Sequence, residues 1–412
     1  MRRVRASLTL AALLLAVLAC MPSSMMVGRP STRATIQRGT RTVRPTTVRP
    51  TVVVPTTAPV PTMAPLTGET LDFVRARDMA LSNLYATYSG SVVHIIVSTG
   101  GRGASATATG TGSGWVWDQN GYIVTNNHVV QGSTRLTVIF PDESQYEAKL
   151  IGTDVDSDLA VIQVDASPNS LVPLQLGDSD ELQVGQTAVA IGNPFGFAGT
   201  MTSGIVSALG RVTVQESGYS LPNLIQTDTS INPGNSGGPL FDITGRVIGV
   251  TTMIYSTTGE FSGIGIAVPV NTVKRVVPLL ISQGYYEHPY LGVRGWTIRP
   301  ELADAASLPV DKGALVGEVT PGGPADEAGL RGGTRAVEVP GYGEEGVTVG
   351  GDIIVAIDGY PVDGMDDLIT RLEVYAVGDE VVLQVIRDDE LTDIAVVVGA
   401  RPAQRTRDLG GG

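Results

Sequence analysis

The chain has 412 residues, of which 28 are basic and 41 acidic, for a net charge of −13, and 42% are apolar. The charge is unevenly spread: the first 68 residues hold nine arginines and no acid, so the 344 that follow set nineteen basic groups against 41 acidic ones, a surplus of 22 negative charges. An acidic body of this kind excludes non-specific nucleic-acid binding, the single cysteine excludes a disulfide framework or a cysteine-built zinc site, and the lack of any later apolar run of about 18 residues excludes a polytopic membrane protein.

Residues 1–20 read as an export signal. Arg2, Arg3 and Arg5 precede the apolar stretch Leu8 to Ala19, which has the length of a signal-peptide core. Val17-Leu18-Ala19-Cys20 resembles a bacterial lipobox, with Cys20 as the lipidated first residue of the mature protein. Plain cleavage after Ala19 and an uncleaved anchor are the other two readings. Residues 21–68 are Thr, Pro, Arg and Val without helical or strand period, which predicts a disordered, partly polyproline tether. A lipid anchor would bring its arginines, six of them between Arg29 and Arg49, close to an anionic leaflet.

Folded structure is predicted from Glu69. A helix spans Leu71 to Tyr88, after which the pattern changes to short strands: Val92–Val97, Gly114–Trp117, Tyr122–Thr125, Arg135–Phe140, Tyr146–Gly152, Leu159–Val164, Thr187–Ile191, Ile205–Leu209, Val247–Met253 and Gly263–Val268. Many short strands without intervening helices predict an antiparallel barrel or sandwich. A helix then runs to Gln283, with Asn271 as its expected N-cap, Pro278 as an expected bend and Gly284 as its stop.

Ser236 lies in Gly234-Asn235-Ser236-Gly237-Gly238-Pro239, where glycines permit a tight turn that presents the hydroxyl. A serine hydroxyl needs a base, a group that orients the base, and donors for the oxyanion. The chain has three histidines. His94 falls inside a strand and His288 at a domain junction, whereas His128 follows a strand end, where sites are built. Asp158 opens the strand beginning at Leu159; Asp154 and Asp156, close by, are assigned structural roles. The order His, Asp, Ser is that of the chymotrypsin-type double barrel. No phosphate-binding loop and no histidine pair at metal-ligand spacing occur, so neither ATP nor zinc, nor any other cofactor, is expected.

Three motifs carry a family resemblance: Thr125-Asn126-Asn127-His128-Val129-Val130, Asp156-Ser157-Asp158-Leu159-Ala160, and Thr227 to Leu240 around Ser236. Together, and in this order, they resemble the HtrA/Deg family of serine proteases from about Leu71 to Arg401. The resemblance implies a mainly β protein, a chymotrypsin-like double β-barrel over residues 69–285 followed by an α+β PDZ domain over 286–401, with a flexible tail at 402–412. It implies His128 as general base and then acid, Asp158 as its orienter, Ser236 as acylated nucleophile, and the N–H groups of Gly234 and Ser236 as oxyanion hole. Gly263 to Ala267 reads as plain core strand or, as in the family, as a border of the specificity pocket. The position six residues before the nucleophile, where an acid reads basic side chains in trypsin-like enzymes, is Ser230. With Ile264 and Ile266 nearby, an apolar P1 residue of modest size is expected.

Tyr290-Leu291-Gly292-Val293 resembles the carboxylate-binding loop of PDZ domains, which add a peptide C-terminus as a strand. Met365 to Leu372 is predicted as the helix flanking that groove. The chain departs from common bacterial members by an extra loop, Thr334 to Val349, which resembles an insertion in some photosynthetic-lineage members. Expected partners are unfolded protein or peptide substrates, C-terminal peptides at the PDZ domain, other copies in a homotrimer or multiple of three, and the membrane through the N-terminus, on the extracytoplasmic side of a bacterial envelope. Two functions compete: an exported ATP-independent endopeptidase for damaged envelope proteins, and a holdase-type chaperone or regulatory binder with proteolysis incidental or switched off.

Overall fold

The computed structural model describes residues 68–100, 107–194, 199–214, 218–232, 234–254, 262–342 and 346–402. The segment expected to be an export signal, Cys20, the arginine-rich segment up to residue 67 expected to be a tether, and residues 403–412 therefore lie outside the described residues.

Helix α1 (Gly68–Tyr88) leads into a closed barrel made of β1 (Val92–Thr99), β2 (Thr107–Val116), β3 (Tyr122–Thr125), β4 (Arg135–Ile139), β5 (Gln145–Asp154) and β6 (Leu159–Val164), paired in the ring order β1-β2-β3-β6-β5-β4. A second closed barrel follows from β7 (Thr187–Gly192), β8 (Thr200–Val214), β9 (Ser220–Thr227), β10 (Pro239–Asp242), β11 (Val247–Ile254) and β12 (Gly265–Pro269), in the order β10-β11-β12-β9-β8-β7. Closure leaves neither barrel with an edge strand. Each ring holds its own apolar filling, Ile95, Ile123 and Ile162 in the first and Val206, Ile225 and Leu240 in the second. A third cluster joins Trp115, Val124 and Leu159 to Ile191, Phe241 and Val250 across the two rings.

Two strands escaped the sequence pattern. Strand β9 contains Pro222 and Asn223, the latter at φ 59°, and β10 begins on a proline, so turn-forming residues mask both. After β3 the chain forms the single helical turn α2 (Asn127–Val130).

Helix α3 (Val270–Gln283) lays Val273, Val276, Val277 and Leu280 into the core between the barrels. Asn271 is not its cap, as expected from sequence: Pro269 occupies that position, and the Asn271 amide donates instead to Asp178 Oδ1 at 2.7 Å, a tertiary acceptor that the sequence does not reveal. The helix continues as one element through Pro278, its buried face intact, and Gly284 ends it at φ 88° with its N–H on Leu280 O.

The C-terminal unit pairs β13 (Pro289–Tyr290) with β22 (Gly399–Ala400) and builds a sheet from β14 (Val293–Thr297), β15 (Ala314–Val319), β18 (Ile353–Ile357), β20 (Glu380–Arg387) and β21 (Glu390–Val397), with β19 (Tyr360–Pro361) on β18. Helices α4 (Pro300–Ala306), α5 (Pro324–Glu327) and α6 (Met365–Leu372) flank it. The insertion is not a bare loop. It forms a hairpin of β16 (Arg335–Val337) and β17 (Val347–Val349), whose Val339, Val347 and Val349 bury themselves against Ile298, Leu302 and Leu315.

Candidate active site

Strand β3 ends at Thr125, Asn126 continues in extended backbone, and the chain turns at once into α2, where Val129 and Val130 are buried in the first barrel and His128 is left facing outward, its side chain 45% exposed. Asp158 precedes β6 in the left-handed region, at φ 53°, and is buried. The two segments are bonded together at several points. The His128 Nδ1–H donates to Asp158 Oδ2 at 2.8 Å and lies 3.0 Å from Oδ1, and the His128 backbone N–H donates to Oδ1 at 3.0 Å. Asn127 N–H and the Asn126 amide both donate to the Asp158 carbonyl, at 3.1 and 2.8 Å. A carboxylate accepting at Nδ1 fixes the proton there and leaves Nε2 as the basic nitrogen.

The second barrel contributes the remaining donor to that carboxylate: Thr252 Oγ1, from β11, hydrogen-bonds Asp158 Oδ2. Sequence reasoning missed Thr252. The one available signal was a pair of threonines, Thr251-Thr252, in an otherwise apolar strand.

Ser236 sits in a turn that glycine alone permits. Gly234 (φ 101°) and Gly237 (φ 85°) are left-handed, and a Cβ at Gly234 would overlap Pro194, one at Gly237 the Ser113 carbonyl and Thr125 Oγ1. The turn is clamped from both sides. Ser113 N–H donates to Ser236 O at 2.8 Å and Ser113 Oγ to Gly234 O at 2.5 Å, while Thr251 Oγ1 donates to Asn235 O at 2.6 Å. Ser113 Oγ in turn accepts from Asn193 N–H at 2.8 Å, and Asn193 O accepts from the buried His94 Nδ1–H at 2.7 Å. Burial pushes the His94 imidazole below its ordinary pKa, with the bond to Asn193 opposing in part. Neither Gly234 N–H nor Ser236 N–H donates to a group among the described residues, the arrangement an oxyanion hole requires.

Helix α2 and the Ser236 turn both approach the same residue of β2. A side chain at Gly112 would meet Val129 Cγ1 at 2.6 Å on one side and lie 3.2 Å from Ser236 O on the other. Among the described residues Ser236 Oγ makes no hydrogen bond to His128; in such sites this contact commonly tightens only with substrate bound. Of the expected pocket residues, Ser230 accepts from Thr202 Oγ1 at 2.9 Å through its carbonyl, Ile264 is partly buried, and Ile266 packs within the core between the barrels.

His288 is buried away from the triad, yet it is tied to it through the chain. Its Nε2 lies 2.8 Å from Asp154 Oδ2, and Glu373 Oε1 stands 3.7 Å from Nδ1, an ion-pair contact rather than a hydrogen bond. Burial alone would lower this imidazole; the carboxylates of Asp154 and Glu373 outweigh it and raise the pKa to about 9. Asp154 accepts from the N–H groups of Asp156 and Ser157, and Asp156 pairs with Arg401 at 2.7 Å, so both acids brace the loop that ends in Asp158.

Tyr290, Leu291, Gly292 and Val293 come together along a cleft of about 820 Å³ that extends between β14 and α6. Glycine is required at 292, which has φ 81°.

The trypsin-like peptidase domain family matches residues 112–250, and the PDZ domain family residues 289–398. The chloroplastic Protease Do-like 1 of Arabidopsis thaliana is 42% identical over 289 residues, covering 70% of this chain and 63% of its own length. A probable periplasmic serine endoprotease, DegP-like, of Chlamydia muridarum is 41% identical over 70% of this chain and 54% of its own. The chain thus spans little more than half the length of these curated relatives. Among solved structures, the HtrA-type protease AlgW with tripeptide superposes with a TM-score of 0.65 at 32% identity, over 78% of this chain and 98% of that one. With this likeness and the bonded His128–Asp158 pair beside the Ser236 turn, the chain belongs to the HtrA family of serine proteases, a trypsin-like peptidase domain followed by a PDZ domain.

Proposed function

We propose that the protein is an exported, ATP-independent serine endopeptidase that cleaves unfolded or damaged proteins of a bacterial envelope, with a PDZ domain that binds C-terminal peptides. The observation that carries this reading is the His128–Asp158–Thr252 unit beside a glycine turn whose Gly234 and Ser236 N–H groups have no partner among the described residues. Ser236 Oγ attacks the scissile carbonyl as His128 Nε2 takes its proton; the oxyanion meets the two N–H groups; the protonated His128 then supplies the leaving amine with a proton, and water repeats the sequence to release the acyl group. A bonded His128–Asp158 pair beside the Ser236 turn favours this enzyme over a holdase. Ser230 brings no carboxylate to the P1 pocket, so cleavage after Val, Ile or Ala is favoured over Lys or Arg.

The periplasmic designation of the Chlamydia relative supports export, as does the sequence of residues 1–20, with Cys20 as the lipidation site. Among the described residues no helix is long and apolar enough to cross a membrane; the anchor in this proposal is carried by residues 1–20. The test is digestion of an unfolded protein by the purified enzyme, with products mapped by mass spectrometry and a fluorophosphonate probe applied in parallel. Labelling of Ser236 alone and cuts after small apolar residues are expected. Proteolysis without labelling of Ser236 would refute the mechanism, and a majority of cuts after basic residues would refute the pocket.

A further inference from the structure

The hairpin β16–β17 reaches the peptide groove through one side chain. Tyr342, between its strands, donates its hydroxyl to the Thr297 carbonyl at 2.8 Å, and its ring lies 5.9 Å from the Arg299 guanidinium carbon. Gly341 and Tyr342 line the same cleft as the carboxylate loop at Leu291–Val293, at its opposite end. The position is firmly held, because Tyr342 N–H donates to Val339 O at 3.2 Å and Val339 is buried among Ile298, Leu302 and Val347.

Thr297 is the last residue of β14, the strand against which an added peptide would pair. β14 already has β15 on one side, and Ile298 N–H continues that pairing to Gly313 O. Backbone groups alternate in direction along a strand, so the Thr297 carbonyl belongs to the open edge, with those of Val293 and Gly295. A peptide seated by its carboxylate at the loop meets Val293 first and Thr297 last. At about 3.3 Å per residue the open edge from Val293 to Thr297 matches about four peptide residues. The helix also closes in at that point: Met365 N–H donates to Thr297 Oγ1 at 3.0 Å, and a Cβ at Gly364 would overlap the Thr297 side chain.

We propose that Tyr342 caps the PDZ groove, so that the domain pairs with only the last four or so residues of a C-terminus and is indifferent to the chain upstream of them. The proposal rests on the reading that this groove takes C-terminal peptides. In domains without such a cap, further residues can add main-chain hydrogen bonds; here the acceptor they would use is already satisfied, and its release would cost an internal bond.

The test uses the Ser236→Ala protein, which cannot digest its ligands. Two fluorescein-labelled peptide pools carry a free carboxylate, Val or Leu as the last residue and randomised residues before it, one pool four residues long and the other eight. Fluorescence anisotropy is expected to give equal affinities for the two pools. Adding Tyr342→Ala, or Tyr342→Phe, which keeps the ring's packing, is expected to tighten binding of the eight-residue pool alone by about five-fold, the worth of one main-chain hydrogen bond. An eight-residue pool that already binds five-fold more tightly to the Tyr342 protein, or no gain in either variant, overturns the cap while leaving peptide binding intact. Equal binding of amidated pools, or no binding by any pool, overturns the peptide reading and the cap with it.

Discussion

The carboxylate of Asp158 receives three donors, the backbone N–H and Nδ1–H of His128 and the hydroxyl of Thr252, and the bond from Thr252 is the one that comes from the opposite barrel. Nucleophile and base act as a unit, so Ser236→Ala and His128→Ala should each lower kcat on the order of 10⁶-fold, and the double substitution little further, in a peptide-cleavage assay. Thr252→Val keeps shape and burial but removes one bond to an ionised carboxylate. Such bonds contribute roughly 1.5–3 kcal/mol, so kcat should fall by about 10- to 100-fold with KM little changed, and Thr252→Ser should restore it. Unaltered kcat in the valine variant would show that the bond is dispensable. The three residues proposed as a triad could be picked out in the sequence because each sits in a motif of its neighbours. Thr252 and Ser113 could not, since threonine is an ordinary strand residue and serine an ordinary turn residue, and their partners lie 94 and 121 positions away in the chain. Ile266 marks the same limit in reverse: its place in the strand was readable, but which face meets substrate and which meets the core was not.

Among the elements, the turn around Ser236 is the least tolerant. The built Cβ of Gly237 overlaps backbone and side chain from β2 and β3, and its φ of 85° disfavours any other residue. Gly237→Ala should therefore abolish fluorophosphonate labelling. Circular dichroism should still report two barrels, because the clash is confined to the turn while each ring closes through its own ladders. Strands built from unbroken runs of apolar and β-branched residues, such as β6 and β11, were predictable in position; β9 and β10 were concealed by proline and asparagine. The inserted segment read as a loop because three-residue strands are too short to establish a period, and their stability comes from Val339, Val347 and Val349 finding Leu302 and Ile298 across the domain.

At the scale of the molecule, the protease and PDZ domains share a buried charge cluster of Asp154, His288, Glu373 and Arg275. A histidine whose folded pKa is raised stabilises the fold fully below its ordinary value of 6.5 and loses that contribution as pH rises through about 9. The shift corresponds to on the order of 3 kcal/mol. Calorimetry of the Ser236→Ala protein should show Tm falling from pH 7 to 9.5 more steeply than in a protein that also carries His288→Gln; parallel curves would place the titration elsewhere. Assembly is the second expectation at this scale. Helix α1 packs Leu81, Leu84 and Tyr85 on the core but leaves Phe73 and Met79 exposed at 73% and 64%, apolar surface suited to burial against other copies. Sedimentation should give a multiple of three, and Phe73→Asp should reduce the assembly; a monomeric parent protein at micromolar concentration would contradict this.

The bond from Thr252 to Asp158 has a further consequence for the chain's own history. The first barrel closes its ring from residues 92–164 and contains the base and its acid, but no nucleophile. The serine arrives with the second barrel, and Ser113 and Thr251 grip its turn from the two rings at once. On the proposed mechanism, a nascent chain, or a copy whose second barrel has melted, therefore bears a serine with no more reactivity than any other. The enzyme would then be disarmed in the same half-folded condition that would make it a substrate, a safeguard that lies in the closure of the second barrel itself.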